Sequence, residues 1–172
     1  MNEQIISGRL PVLALRGLAV FPGQSVHFDV GRMKSIQALD QAMKGDRYIF
    51  LVPQKDITTD DPNLDAQYSI GCVAKVKQIL RPQGEAVRVL INGICRGRIS
   101  HLYQSEPHLE AEIQAVPETE VVDSPRNHAL CREANALFAA YVEMSEFPAQ
   151  SVMLRMLSSF EPGYLADCIA QN

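Results

Sequence analysis

The sequence predicts an α+β chain, an antiparallel β barrel closed over a single early helix and followed by the start of an α-helical bundle. Three observations carry this. Before Pro117 almost every apolar stretch is short and alternates with period two; one stretch, Met33 to Met43, has the helical period; and after Asp123 every period is helical. The predicted boundary divides a β subdomain, residues 1–117, from a helical subdomain, residues 118–172, within the Pro117 to Asp123 stretch PETEVVD.

The elements follow in order. Leu10 to Leu15 reads as a first strand, which Pro11 restricts to an edge or to its opening residues. Phe21, Pro22 and Gly23 then predict a type II turn, because proline presets φ near −65° and glycine accepts the positive φ that comes next. Val26, Phe28 and Val30 alternate with Ser25, His27 and Asp29 as a half-buried strand. Met33, Ile36, Leu39 and Met43 form a helical stripe, with Gly45 placed to end it at positive φ.

Tyr48 to Val52 is a continuous apolar run, the pattern of a strand buried on both faces. After a polar loop, Cys72, Ala74, Val76 and Leu80 share a face, and Arg81 to Gly84 supplies a turn. Val87, Val89 and Ile91 line the return strand. Asn92 and Gly93 predict a tight hairpin, since the pair accepts positive φ at both central positions. Ile94 to Gln104 would be the partner strand and Leu109 to Ala115 the last, giving about seven strands.

In the helical part, Ser124 and Pro125 suit an N-cap and first helical residue. Leu130, Ala134, Leu137, Phe138, Tyr141 and Val142 form an apolar stripe. A second helix is expected from Pro148, burying Val152, Met153, Met156, Leu157 and Phe160. Pro162 and Gly163 interrupt, and Leu165 and Ile169 begin a third stripe that the chain end cuts off. A fragment of a longer protein is therefore expected.

Composition narrows the function classes. The chain has 172 residues, 47% of them hydrophobic and 21% charged, with net charge −4, which is the balance of a globular protein. No apolar run of about 18 residues and no signal-peptide pattern is present, so a cytoplasmic protein without a membrane partner is expected. Cys72, Cys95, Cys131 and Cys168 form no CxxC pair and are expected as buried thiols.

Candidate sites are few. Asp61, Asn63 and Asp65 open like a calcium loop, but Ala66 replaces the required glycine and Cys72 the bidentate glutamate, leaving a solvated acidic loop. His101 and His108 have no third ligand at a metal spacing, so no metal site is expected. No phosphate-cradling or nucleophile-elbow motif occurs, so neither catalytic nor cofactor-binding residues are assigned. Lys75, Lys77, Arg81, Arg88, Arg96 and Arg98 could track a phosphate backbone, yet no aromatic lies between Tyr68 and Tyr103, which argues against nucleic acid. The six acids between Glu106 and Asp123 would offset that charge if the segments are neighbours. Leu18, Val20, Phe21 and Pro22 lie in or beside a turn, where exposure is expected, and form a candidate binding patch for unfolded or partner chains; the alternative is that Phe21 plugs the barrel end.

LPVLALRGLAVFPG, VGRMKSIQAL, LVPQKD, GCVAKVKQIL, VRVLINGICRGRI and EPGYLADCIA, taken in order, resemble the amino-terminal domain of Lon-type ATP-dependent proteases. The chain departs from that pattern at Gly17 and Gln24. The resemblance implies a PUA-like β barrel followed by a helical bundle. It also implies a non-catalytic role: recognising unfolded or damaged protein substrates and aiding hexamer assembly, with ATP, magnesium and the Ser-Lys peptidase site in modules downstream. The alternative is a free-standing PUA-like module that binds nucleic acid or a small ligand.

Overall fold

The computed structural model describes residues 7–63, 65–81, 86–119, 121–144 and 161–171. The turn expected at Arg81 to Gly84 and the helix expected from Pro148 fall almost wholly outside these residues. The chain divides into two compact units, Met1–Pro117 and Glu118–Asn172.

The first unit is built from β1 (Gly8–Leu15), β2 (Ser25–Val30), α1 (Met33–Lys44), β3 (Tyr48–Pro53), β4 (Ile70–Leu80), β5 (Val87–Gln104) and β6 (Leu109–Ala115). The strands pair in the order β2-β5-β4-β3-β1-β6, and β5 pairs again with β6, so five of the six close a ring of hydrogen bonds while β2 hangs on β5. The sheet is mixed and not purely antiparallel as expected, because β1 and β3 run parallel, Val12 opposite Phe50. A helical crossover is what allows two parallel neighbours, and α1 supplies it. Pro11 lies among the first residues of β1, opposite Glu110; pairing with β3 starts one residue later at Val12, where an N–H is again available.

The predicted hairpin at Asn92 and Gly93 is not formed. Val87–Gln104 is a single strand of 18 residues. It pairs with β2 from Val87 to Asn92, with β4 from Arg88 to Arg98 and with β6 from Gly97 to Gln104. Register shifts at Val73/Ala74, Val76/Gln78, Ile99/His101 and Leu102/Gln104 bend the ladder enough for one strand to serve three partners. The predicted positive φ at Gly45 is also absent: Gly45 has φ −108°, and Arg47, at 67°, makes the reversal.

Alternation along the strands separates two cores. Val12, Phe50, Val73, Cys95 and Ile113, one or more from every ring strand, pack together inside the ring. Leu13, Leu51 and Ala74 point the other way and, joined by Ile91, meet Ala38, Leu39 and Ala42 of α1; on β5 the passage from one core to the other falls at the register shift where Gly93 and Cys95 face Ala74 and Val73. The helix therefore covers one face of the sheet and is not enclosed by it.

In the second unit α2 (Pro125–Met144) and α3 (Pro162–Ala170) share a small core of Cys131, Phe138, Leu165 and Cys168. The expected stripe of α2 is only partly used: Phe138 is buried and Ala134 and Val142 half-buried, while Leu130, Leu137 and Tyr141 are exposed. Pro162 opens α3 and does not merely interrupt, since proline suits the first helical position. The Ser124 hydroxyl accepts the Asn127 N–H at 3.2 Å, as an N-cap should. Ser124→Ala is expected to cost about 1 kcal/mol of helix stability, read as a lower melting midpoint by circular dichroism. All four cysteines are buried thiols, as expected.

Candidate functional site

The turn predicted from Phe21, Pro22 and Gly23 is present and tightly held. Gly23 has φ 74°, and the Gln24 N–H donates to the Phe21 carbonyl at 3.3 Å. Gln24, one of the departures from the family pattern, closes it with its side chain: Oε1 accepts the Phe21 N–H at 3.1 Å. The turn is then fastened to β5. Gly23 N donates to the Gly93 carbonyl at 3.0 Å, and Gly93 N donates to the Gln24 carbonyl at 2.8 Å. A Cβ on Gly93 would run into the Phe21 carbonyl oxygen, so only glycine allows the seat.

This geometry sorts the four candidate residues. Val20 is 8% exposed and belongs to the core above α1, a correction to its place in an exposed patch: the strand of turn residues must anchor somewhere, and the apolar Val20 does so. Leu18, Phe21 and Pro22 are half-buried, with Leu18 packed on the same core. Ile57, 57% exposed and beside Gly17, adds an apolar group on that side. Sequence reasoning missed it because it sits alone in a polar loop.

The other candidates are occupied locally. Asp61 pairs with Lys34 at 2.7 Å, Asn63 Oδ1 accepts the Ala66 N–H at 3.0 Å, and the Asp65 carbonyl accepts from Lys55 at 2.9 Å. Among the described residues no three His, Cys, Asp or Glu side chains group as metal ligands. His101 stacks edge-on against Tyr103, whereas His108 is buried against Gln104 at 3.2 Å, so the two do not converge.

At least three of the six basic residues are engaged too. Arg88 grips Asp29 with two bonds of 2.8 and 2.9 Å, Arg81 pairs with Asp40, and Lys75 lies over the Tyr48 ring at 5.0 Å. Their partners come from β2, α1 and β3, and not from the acidic Glu106 to Asp123 segment. The Arg88 hydrogen bonds hold the Asp29 carboxyl below its ordinary range. Among the described residues no helix is long and apolar enough to cross a membrane.

Comparison with known proteins gives one answer. The family model described as the ATP-dependent protease La (LON) substrate-binding domain matches residues 9–172. Lon protease of Desulforamulus reducens is 42% identical over 172 residues, covering 100% of this chain and 21% of that protein. Lon protease of Clostridium acetobutylicum is 43% identical over 161 residues, 94% of this chain and 21% of the relative. The chain thus spans about a fifth of the length of the curated relatives it matches. Among solved structures, the N-terminal domain of Mycobacterium avium complex Lon protease superposes with TM-score 0.74 at 26% identity, covering 92% of this chain and 80% of that one. The Lon N-terminal domain protein of Xanthomonas campestris shares the fold, with TM-score 0.56 at 12% identity over 94% of this chain and 96% of its own. With a family model spanning nearly its whole length, the chain belongs to the Lon protease substrate-binding domain family.

Proposed function

We propose that this domain recognises unfolded or damaged polypeptides on behalf of an ATP-dependent serine protease, by weak contacts to apolar groups around the Phe21 turn. The observation that carries the reading is the match of residues 9–172 to a family described as substrate-binding. Leu18, Phe21 and Pro22, flanked by Ile57, are the residues we assign to that surface. Their apolar atoms stand beside a turn that hydrogen bonds hold rigid, so little ordering entropy opposes contact. The domain does no chemistry itself in this reading. Catalysis, ATP and magnesium belong to the rest of a cytoplasmic hexamer, whose six copies would raise the effective concentration of a weak site. The ring of strands is read as a PUA-like barrel. Nucleic-acid binding is not favoured, since Lys75, Arg81 and Arg88 are already partnered.

Titration of the labelled chain with reduced, carboxymethylated α-lactalbumin, followed by amide shifts, tests the assignment. Shifts centred on Leu18, Phe21, Gly23 and Ile57 are expected. Shifts confined to residues far from the turn would sink it. Phe21→Ala should weaken binding by about fivefold, the equivalent of about 1 kcal/mol for a half-buried aromatic.

A further inference from the structure

A cavity of about 490 Å³ opens between β1, β2 and the start of α1. Leu15, Leu18 and Phe28 give it apolar walls, and four charged residues line it: Arg16, Asp29, Arg32 and Asp60. Three of these are matched. Arg16 bonds Asp60 at 2.8 Å, and Asp29 is taken by Arg88.

Arg32 is the exception. Its Nη2 donates to Gln54 Oε1 at 2.7 Å, a neutral acceptor, and its Nη1 is buried with no hydrogen-bond partner. Gln54 cannot follow a moving partner, being 4% exposed and tied through its amide nitrogen to the Thr59 carbonyl at 3.1 Å. Burial, and then the nearby charge of Arg16, lower the proton affinity of the Arg32 guanidinium, against a smaller opposing pull from Asp60 and Asp61. A half-buried cation with no anion bonded to it is costly, and an orphaned donor adds to the cost. The helix start reinforces the local field: Gly31 and Ser35 line the same cavity, Arg32 offers no side-chain cap, and no acidic residue occupies the first turn of α1.

We infer that this cavity is a carboxylate site, which takes a single carboxylate on Arg32 and the apolar group carrying it against Leu15, Leu18 and Phe28. A small turn of the guanidinium brings the orphaned Nη1 to the ligand oxygen, converting a buried cost into a charge-assisted bond. A monoanion fits the charge count, since Arg32 is the one unmatched charge among the four; a doubly charged phosphate would face Asp29 and Asp60. The carboxylate can come from the last residue of a polypeptide or from a free small acid.

The test titrates the whole chain with N-acetyl-leucine, with its amide N-acetyl-leucinamide, and with an octapeptide ending in leucine as free acid or as amide. At least one acid should bind saturably, shifting the Gly31 and Ser35 amides and the Arg32 side-chain N–H. Its amide twin should bind at least about tenfold more weakly, the scale of one charge-assisted bond. If the peptide acid binds, the source is a chain terminus; if only N-acetyl-leucine does, it is a small acid. Arg32→Gln should abolish the acid preference while keeping or raising the urea midpoint, since it removes an unmatched charge. Equal binding of acid and amide, no binding of either acid, or a preference that survives Arg32→Gln would overturn the assignment. Leu18 belongs to both surfaces, so the two readings are told apart by Arg32→Gln, which removes the acid preference and leaves the contacts of Phe21, Pro22 and Ile57 with unfolded protein in place.

Discussion

Replacing Gly93 by alanine is expected to destabilise the first unit by about 2 to 4 kcal/mol, the range for an overpacked site that also loses hydrogen bonds. The new methyl group would collide with the Phe21 carbonyl and lie 3.1 Å from Cys72 Sγ. The obstacle is backbone, and that backbone is fixed by the Gly23 to Gly93 and Gly93 to Gln24 bonds, so neither side can yield without giving up both. Urea unfolding measures the loss, and faster hydrogen exchange at Gly23 locates it. Gly31→Ala, where the added carbon meets nothing within 4 Å, serves as the near-neutral control. Asn92→Thr separates strand from hairpin. In a tight turn it would be costly, but here Asn92 lies opposite Ser25 in a strand, with only its Oδ1 accepting from Ser25 Oγ at 2.8 Å. A change within about 0.5 kcal/mol is expected for that half-buried strand site.

Phe50→Ala is expected to cost about 3 to 5 kcal/mol, the usual range for a buried aromatic truncated in place. Phe50 has no exposure and sits inside the ring of strands. Two glycines make room for it. A Cβ on Gly71 would stand 2.7 Å from Phe50 Cζ, and one on Gly97 3.0 Å from Phe50 Cε2 and 2.7 Å from Ile113. The ring of Phe50 therefore occupies space that two strands, β4 and β5, leave for it. Total stabilities are about 5 to 15 kcal/mol, so the variant could lose most of its margin. Calorimetry of Phe50→Ala beside the milder Phe50→Leu checks this. Gly97→Ala combined with Phe50→Leu should cost less than the sum of the two changes, because the smaller side chain vacates the space the methyl needs.

Local physics was legible in the sequence where one residue dictates one conformation. Pro22 and Gly23 made the turn, Ser124 the cap, and the alternation in Val26 to Val30 the strand. Partner choice was not, since a strand's own residues do not say which neighbour it takes or in which direction. Nothing in Val12 or Phe50 marks their pairing as parallel. Asn92 and Gly93 misled because their local preference for a hairpin is real. The contrary signal was that Val87, Val89, Ile91 and Cys95 keep one phase of alternation straight through Gly93, which a turn would have broken. At the site, Val20 was placed by neighbourhood and not by burial. Arg32 stood in view inside VGR, but its missing anion is a property of three-dimensional surroundings.

The join between β1 and β6 has a consequence for synthesis. Gly8 lies opposite Ile113, so the first and last strands of the unit must meet to close the ring. A chain emerging from a ribosome can dock β1 against β3 once Tyr48–Pro53 is out, with α1 folding in between. The other edge of β1 stays without its partner until Leu109–Ala115 has been made. For about sixty residues of elongation, or several seconds at ordinary translation rates, an apolar strand presents open N–H and C=O groups to its surroundings. A domain whose family is described as substrate-binding is, during its own birth, a chain with an open edge of its own to protect.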